Sequence, residues 1–297
     1  MRITSETLLK IARDTISQRS KTDRDLLAAY LHGSMLSGDA ILGGTADIDL
    51  FFIHNGVVLQ EREIIRLTED VHLDITHHAR AAYRHTKELR QDPWLGSTIY
   101  GAKILYDPQH FMDFTQASVR GQYNLPENIM AKSNGQAAQA RQLWLSFVAE
   151  TGWDENERIT QYLQAVELAA NSIACLSGSP LTERRFLLEF PKRAEAIGHP
   201  GLSHGLLGLL GGSLVDADTL KSWLPLWCSA YESIPVDQTP ITLHAYRLPY
   251  YRKAFEAILG SEHPQAVLWP MLRTWSQADG LLAEDASQHA GYQAALE

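Results

Sequence analysis

Cysteine is scarce in this chain: among 297 residues there are only Cys175 and Cys228, far apart and without metal-site spacing. A disulfide framework and a cysteine zinc module are thereby disfavoured, and a reduced, cytoplasmic setting is the expectation. Long apolar runs are missing too. None reaches the roughly 18 residues needed to cross a bilayer, so no membrane partner is expected. The opening "MRITSETLLKIARD" is amphipathic and includes acids, unlike a signal peptide. An excess of positive charge is also lacking. Lys and Arg total 26 against 35 Asp and Glu, for a formal net charge of −9. Up to position 118 there are 13 basic and 16 acidic residues, and beyond it 13 and 19. Neither half offers the basic footprint that neutralises phosphates of long RNA or DNA, so nucleic acid is disfavoured as a partner.

What is present fits a globular protein, 45% hydrophobic and 21% charged, with two textures along the chain. In residues 1–118, "SETLLKIARDTISQ" predicts a helix with Ser5 as N-cap and Leu8, Leu9, Ile11, Ala12 and Ile16 toward one face. "LLAAYLHG" (26–33), "DIDLFFIH" (47–54), "VHLDITHH" (71–78) and "AKILYDP" (102–108) predict four strands, with a helical "VLQEREIIRLTED" between the second and third. After position 118 the strand pattern gives way to helix-length segments, several closed by glycine. Six of the seven tryptophans, all but Trp94, lie in this half, where they are expected to fill helix-packing cores. The fold class expected is α+β, a mixed sheet with helices over 1–118 followed by an all-α domain over 119–297.

The stretch "LHGSMLSGDAILGGTADIDLFFIHNG" (31–56) departs from ordinary strand chemistry. Alternation in a strand projects Asp47 and Asp49 to one side while Ile48 and Leu50 enter the core. Two carboxylates so close repel, and a Mg²⁺ ion, which favours hard oxygen ligands shared with substrate phosphates, would offset that repulsion. An Asp-x-Asp alone is more often a solvated strand end. Here the pair follows Gly33-Ser34, a turn whose backbone N–H groups and hydroxyl suit an anion, with a helix expected after it. Asp74 stands mid-strand in "VHLDITHH", on the polar face with His72 and Thr76, where a third acid could complete a two-metal cluster.

Gly-Ser, Asp-x-Asp and a later strand acid, in this order, resemble the DNA polymerase β-like nucleotidyltransferase superfamily. The matching residues are Gly33 and Ser34, Asp47 and Asp49, and Asp74; Gly38 and the apolar run of "DIDLFF" also match. The resemblance covers roughly residues 26–108, and one departure is Ala46, where a serine is common. It implies an enzyme of the nucleotidyltransferase type that moves a nucleoside monophosphate from ATP or another nucleoside triphosphate to an acceptor hydroxyl and releases pyrophosphate. Asp47, Asp49 and Asp74 would be the catalytic and metal residues, with two Mg²⁺ ions, and Gly33 and Ser34 would bind the nucleotide. The two-domain plan looks most like the aminoglycoside nucleotidyltransferases and their bacterial relatives, in which a helical substrate domain closes a cleft over the acids. A small hydroxylated acceptor is favoured over a protein or RNA, and a non-catalytic nucleotide-binding or partner protein is the remaining alternative.

Other features have weaker chemistry. His72, Asp74, Thr76 and His78 share a strand face, with His32, His54 and His77 nearby, but the spacing matches no common zinc module. His32 is expected to serve in packing. "RAEAIGH" (193–199) has an Arg-to-His spacing known from helical ribonucleases, at a predicted helix end. Arg247, Arg252 and Lys253 either close over a triphosphate or form a solvated helix face. Glu167, in an apolar helix, reads equally as an acceptor base or as half of an interhelical pair.

Overall fold

The computed structural model describes residues 3–36, 38, 40–150 and 152–296. They form α1 (Ser5–Thr22), β1 (Leu26–His32), β2 (Ala46–His54), β3 (Arg62–Arg66), β4 (Val71–Ala79), α2 (Thr86–Gln91), α3 (Leu95–Gly101), β5 (Lys103–Tyr106) and α4 (Phe111–Arg120). There follow α5 (Pro126–Ala149), α6 (Glu155–Ser177), α7 (Phe186–Ala196), α8 (Gly201–Leu209), α9 (Ala217–Glu232), α10 (Leu248–Leu259), α11 (Leu268–Asp279) and α12 (His289–Leu296). The chain is thus α+β, with two compact units that meet at Ile129/Met130, inside α5. That division falls later than residue 118 because α4 continues to Arg120 and belongs to the first unit. Arg90 of α2 holds it there, donating from Nε to the Ser118 carbonyl at 3.1 Å. Among the described residues no helix is long and apolar enough to cross a membrane.

The first unit is built on one mixed sheet of order β3-β4-β2-β1-β5. β2 and β4 run parallel; the other neighbours are antiparallel. Strand alternation gives the sheet two apolar faces. On one, Leu31, Ile48, Leu50, Phe52, Leu73 and Ile75 meet Leu8, Ala12 and Ile16 of α1, whose spacing of four keeps them in one line. On the other, Tyr30 and Ile53 meet Tyr83, Ile99, Met112 and Val119. The cap of α1 is Thr4 rather than Ser5: its side chain accepts from the Thr7 N–H at 3.2 Å, so the helix starts with Ser5 already inside.

The segment expected as a helix between β2 and β4 is instead the edge strand β3. Leu59, part of that helical pattern in sequence, is 98% exposed and covers nothing. Only five residues pair with β4, in the register Ile64↔Asp74 and Ile65↔Leu73, and two of them are β-branched isoleucines suited to a pleated surface. Tertiary pairing outweighs a short run's helical periodicity here.

The second unit is all helix among its described residues, as the loss of alternation predicted. α6 opens with a capping box in which the Asp154 side chain accepts from the Glu157 N–H and Glu157 returns the bond. Its core is aromatic. Phe186 stacks on Trp269 at 4.3 Å, Trp227 lies 4.8 Å from Phe255, and the Trp227 indole donates to Thr274 Oγ1 at 2.9 Å. Trp227, Trp269 and Trp275 are fully buried.

Leucines of the first unit test this account of burial. Leu50→Ala removes a fully buried side chain at the sheet centre and is expected to cost roughly 2–5 kcal/mol in denaturant unfolding. Leu59→Ala, on the exposed loop, is expected to stay within about 0.5 kcal/mol of the parent.

Candidate functional site

Because β1 and β2 are antiparallel neighbours, the end of β1 lies beside the beginning of β2, and His32 stands opposite Asp49. Because β2 and β4 are parallel, their beginnings share that same end: Asp47 pairs with His72 and Asp49 with Asp74. Residues paired across a ladder point to the same face, so Asp47, Asp49 and Asp74 share the face that carries Tyr30 and Ile53. A chain with four separate strand patterns thus brings the Gly-Ser turn and the three acids to one sheet edge.

Gly33 is required there twice over. Its φ of +84° is a left-handed conformation that side chains disfavour, and a Cβ at this position would overlap the Asp49 carboxylate. The turn that follows is a three-residue 3₁₀ helix, Ser34–Leu36, in which the Leu36 N–H donates to the Gly33 carbonyl at 3.1 Å. The expected helix dipole is therefore not available, since a single turn accumulates little of it. What the turn offers an anion is its local N–H groups and the Ser34 hydroxyl.

The acids differ in their surroundings. Asp47 is 9% exposed, and its Oδ1 lies 3.8 Å from Nδ1 of the fully buried His72. Asp74, 5% exposed, is gripped in bidentate fashion by Arg62 of β3, with Nε on Oδ1 at 2.8 Å and Nη2 on Oδ2 at 2.5 Å. Such a fork on a carboxylate is the strong form of ion pair. Arg62 was missed in the sequence because its segment read as helix; on a strand, it falls two residues from the partner of Asp74 and on the same face. Paired carboxylates of Asp47 and Asp49 are the hard oxygen donors that suit Mg²⁺. Asp74 is committed to its guanidinium, and among the described residues no group of three or more His, Cys, Asp or Glu side chains is gathered as metal ligands.

The histidines diverge, which removes the zinc alternative's geometry. His78 Nδ1 meets the Tyr83 hydroxyl at 2.8 Å, and that hydroxyl meets Tyr30 at 2.9 Å; burial pushes both phenols up and His78 down. His77 points to the opposite face, between His54 at 2.8 Å and Glu63 at 3.1 Å. His32 packs edge-on to Phe51 with ring centres 6.3 Å apart, and burial lowers its pKa to about 4, so it stays neutral.

Residues of the second unit take structural roles. Glu167 pairs with Arg273 at 2.7 Å; burial raises its pKa, and the guanidinium opposes that rise. Arg193 Nη1 donates to the Ser177 carbonyl at 3.1 Å, closing the end of α6, so the nuclease-like spacing serves as a helix cap. Arg252 lies 3.8 Å from Glu256 along its own helix. Arg247 is not on a solvated face: it is 1% exposed, and its guanidinium lies 4.5 Å from the Tyr250 ring centre. Neither a scan of protein-family models nor a search of curated proteins finds a match to the chain, so the likeness rests on the motif residues themselves.

His32 sets a pH dependence. Its pKa falls from 6.5 to about 4 on folding, so the unfolded chain takes up a proton in that window and the folded one does not. The neutral ring's contribution is complete above pH 6.5 and is lost as the pH falls toward 4, by about 3 kcal/mol in all. His32→Phe, which cannot titrate, is expected to reduce the slope of the stability profile across this window in urea melts, the rest coming from His54 and His78, which burial also lowers.

Proposed function

We propose that this protein is a Mg²⁺-dependent nucleotidyltransferase that moves a nucleoside monophosphate from ATP or another nucleoside triphosphate to a hydroxyl of a small molecule. One observation carries the reading: two aspartates of one strand face a third across the parallel pair, with a Gly-Ser turn closed down on Asp49 at the same end of the sheet. A buried strand edge gains nothing in stability from three carboxylates, and their gathering beside an anion-binding turn suits phosphoryl chemistry.

In this reading Asp47 and Asp49 hold magnesium, which supplies charge neutralisation at the triphosphate oxygens. Ser34 and the Gly33 backbone seat the terminal phosphates. The acceptor oxygen bonds to the α-phosphorus, the bond from that phosphorus to the bridging oxygen of pyrophosphate breaks, and pyrophosphate departs. The acceptor's proton goes to Asp74, a base of this kind being worth on the order of 10²–10⁴ in rate. Both oxygens of Asp74 accept from Arg62, so one must be released, by a small turn of the guanidinium, before it takes the proton. Arg62 side-chain exposure of 42% leaves room for that movement. The net negative charge of the chain favours a small acceptor over RNA. Glu167, paired with Arg273, is the less suitable base.

A thermal-shift series tests the proposal. ATP or GTP is expected to raise the melting temperature with Mg²⁺ present and to do little in excess EDTA, because the metal separates phosphates from carboxylates. Asp47→Asn is expected to abolish that shift and Asp74→Asn to keep most of it while removing turnover once an acceptor is found. Equal stabilisation in EDTA would point to an ordinary nucleotide pocket and contradict the metal-dependent reading.

A further inference from the structure

The opposite end of the same two strands carries a recess. Asn55 follows β2 and Arg80 follows β4, whereas the acids begin those strands. At about 3.3 Å per strand residue, Asn55 lies on the order of 25 Å from Asp47. The recess has a volume of about 700 Å³ and is lined by Asn55, Arg80, Tyr83, Arg84, Phe111 and Phe114, among others. It is open to solvent over much of its extent.

Its chemistry is unusual for so acidic a chain. Neither the Arg80 nor the Arg84 guanidinium meets a carboxylate among the described residues. The neighbouring acids are already engaged: Asp113 with His110 at 2.9 Å, and Asp107 with the Phe111 N–H at 2.9 Å. Arg80 lies over the Phe111 ring, 5.2 Å from its centre, which orients the planar fork while leaving its edge N–H groups for a second partner. Phe114 is 75% exposed, an apolar ring turned to water beside two cations. Tyr83 forms the floor, its hydroxyl spent on His78 and Tyr30. Exposed arginines are commonly just solvated. An aromatic-lined recess, two arginines without acid partners and an uncovered phenyl ring together ask for more than water.

We propose that this recess binds a small anionic ligand with a flat ring, of the nucleoside monophosphate class, its phosphate between Arg80 and Arg84 and its base on Phe114. Guanidinium forks match phosphate oxygens, and any base offers a face for stacking. The site is separate from the acids and stands whether or not nucleotidyl transfer is the activity.

Calorimetric titration of the intact chain in EDTA, with AMP, adenosine and inorganic phosphate as probes, tests it. AMP is expected to bind at least tenfold more tightly than adenosine or phosphate. Arg80→Ala with Arg84→Ala is expected to weaken AMP at least tenfold with the melting curve unchanged, and Phe114→Ala to weaken it several-fold. Asp47→Asn is expected to leave AMP affinity as it is. No AMP binding at millimolar concentration, unchanged affinity in the double arginine variant, phosphate binding as tightly as AMP, or loss of AMP in Asp47→Asn would each overturn the proposal.

Discussion

The register of β4 against β2 is the constraint on which the site depends. In a parallel pair, a slip of one residue would turn Asp74 toward α1 and bring Leu73 or Ile75 onto the face of the acids. The apolar residues forbid it: Leu73 and Ile75 on one side, with Ile48, Leu50 and Phe52, hold the strands in the only phase that buries them all against α1. The acids of the other face are thereby aligned although they repel one another. A hydrophobic lock on one side of the sheet brings like charges together on the other.

Around that lock the electrostatics are divided. Arg62 neutralises Asp74 from the edge strand, while the Asp47 carboxylate stands near the His72 ring and Asp49 beside Gly33. The close approach at Gly33 leaves no room for a side chain, so the turn and the second aspartate act as one piece. In the proposed reaction, Arg62 would therefore decide whether Asp74 is free to act with the other two. Arg62 lies on a five-residue edge strand with its side chain 42% exposed, and so can move at modest cost.

Much of this was legible in the sequence, for physical reasons. Strand β1 is a short apolar run closed by glycine, β2 and β4 carry polar residues two apart among apolar ones, and the acids announce themselves by standing where such runs carry valine or isoleucine. The helical half was legible because 3.6-residue spacing persisted with glycine stops. β3 was not: five residues hold too little periodicity to choose between helix and strand, and only pairing with β4 decides. The Arg62–Asp74 pair was hidden for the same reason. The roles of Glu167 and Arg193 were readable only as alternatives, because an acid on an apolar helix names no partner, and the partners Arg273 and Ser177 come from the fold. The neutrality of His32 likewise follows from burial that no local pattern encodes.

In the proposed reaction, Asp47 and Asp49 together seat a metal–nucleotide complex. Electron paramagnetic resonance of Mn²⁺, as a stand-in for Mg²⁺, addresses it directly with a non-hydrolysable ATP analogue. The parent chain is expected to form a ternary complex with far more immobilised Mn²⁺ than the analogue or the protein gives alone, and Asp47→Asn with Asp49→Asn to lose that gain. Equal Mn²⁺ signals for the parent and the double variant would contradict it.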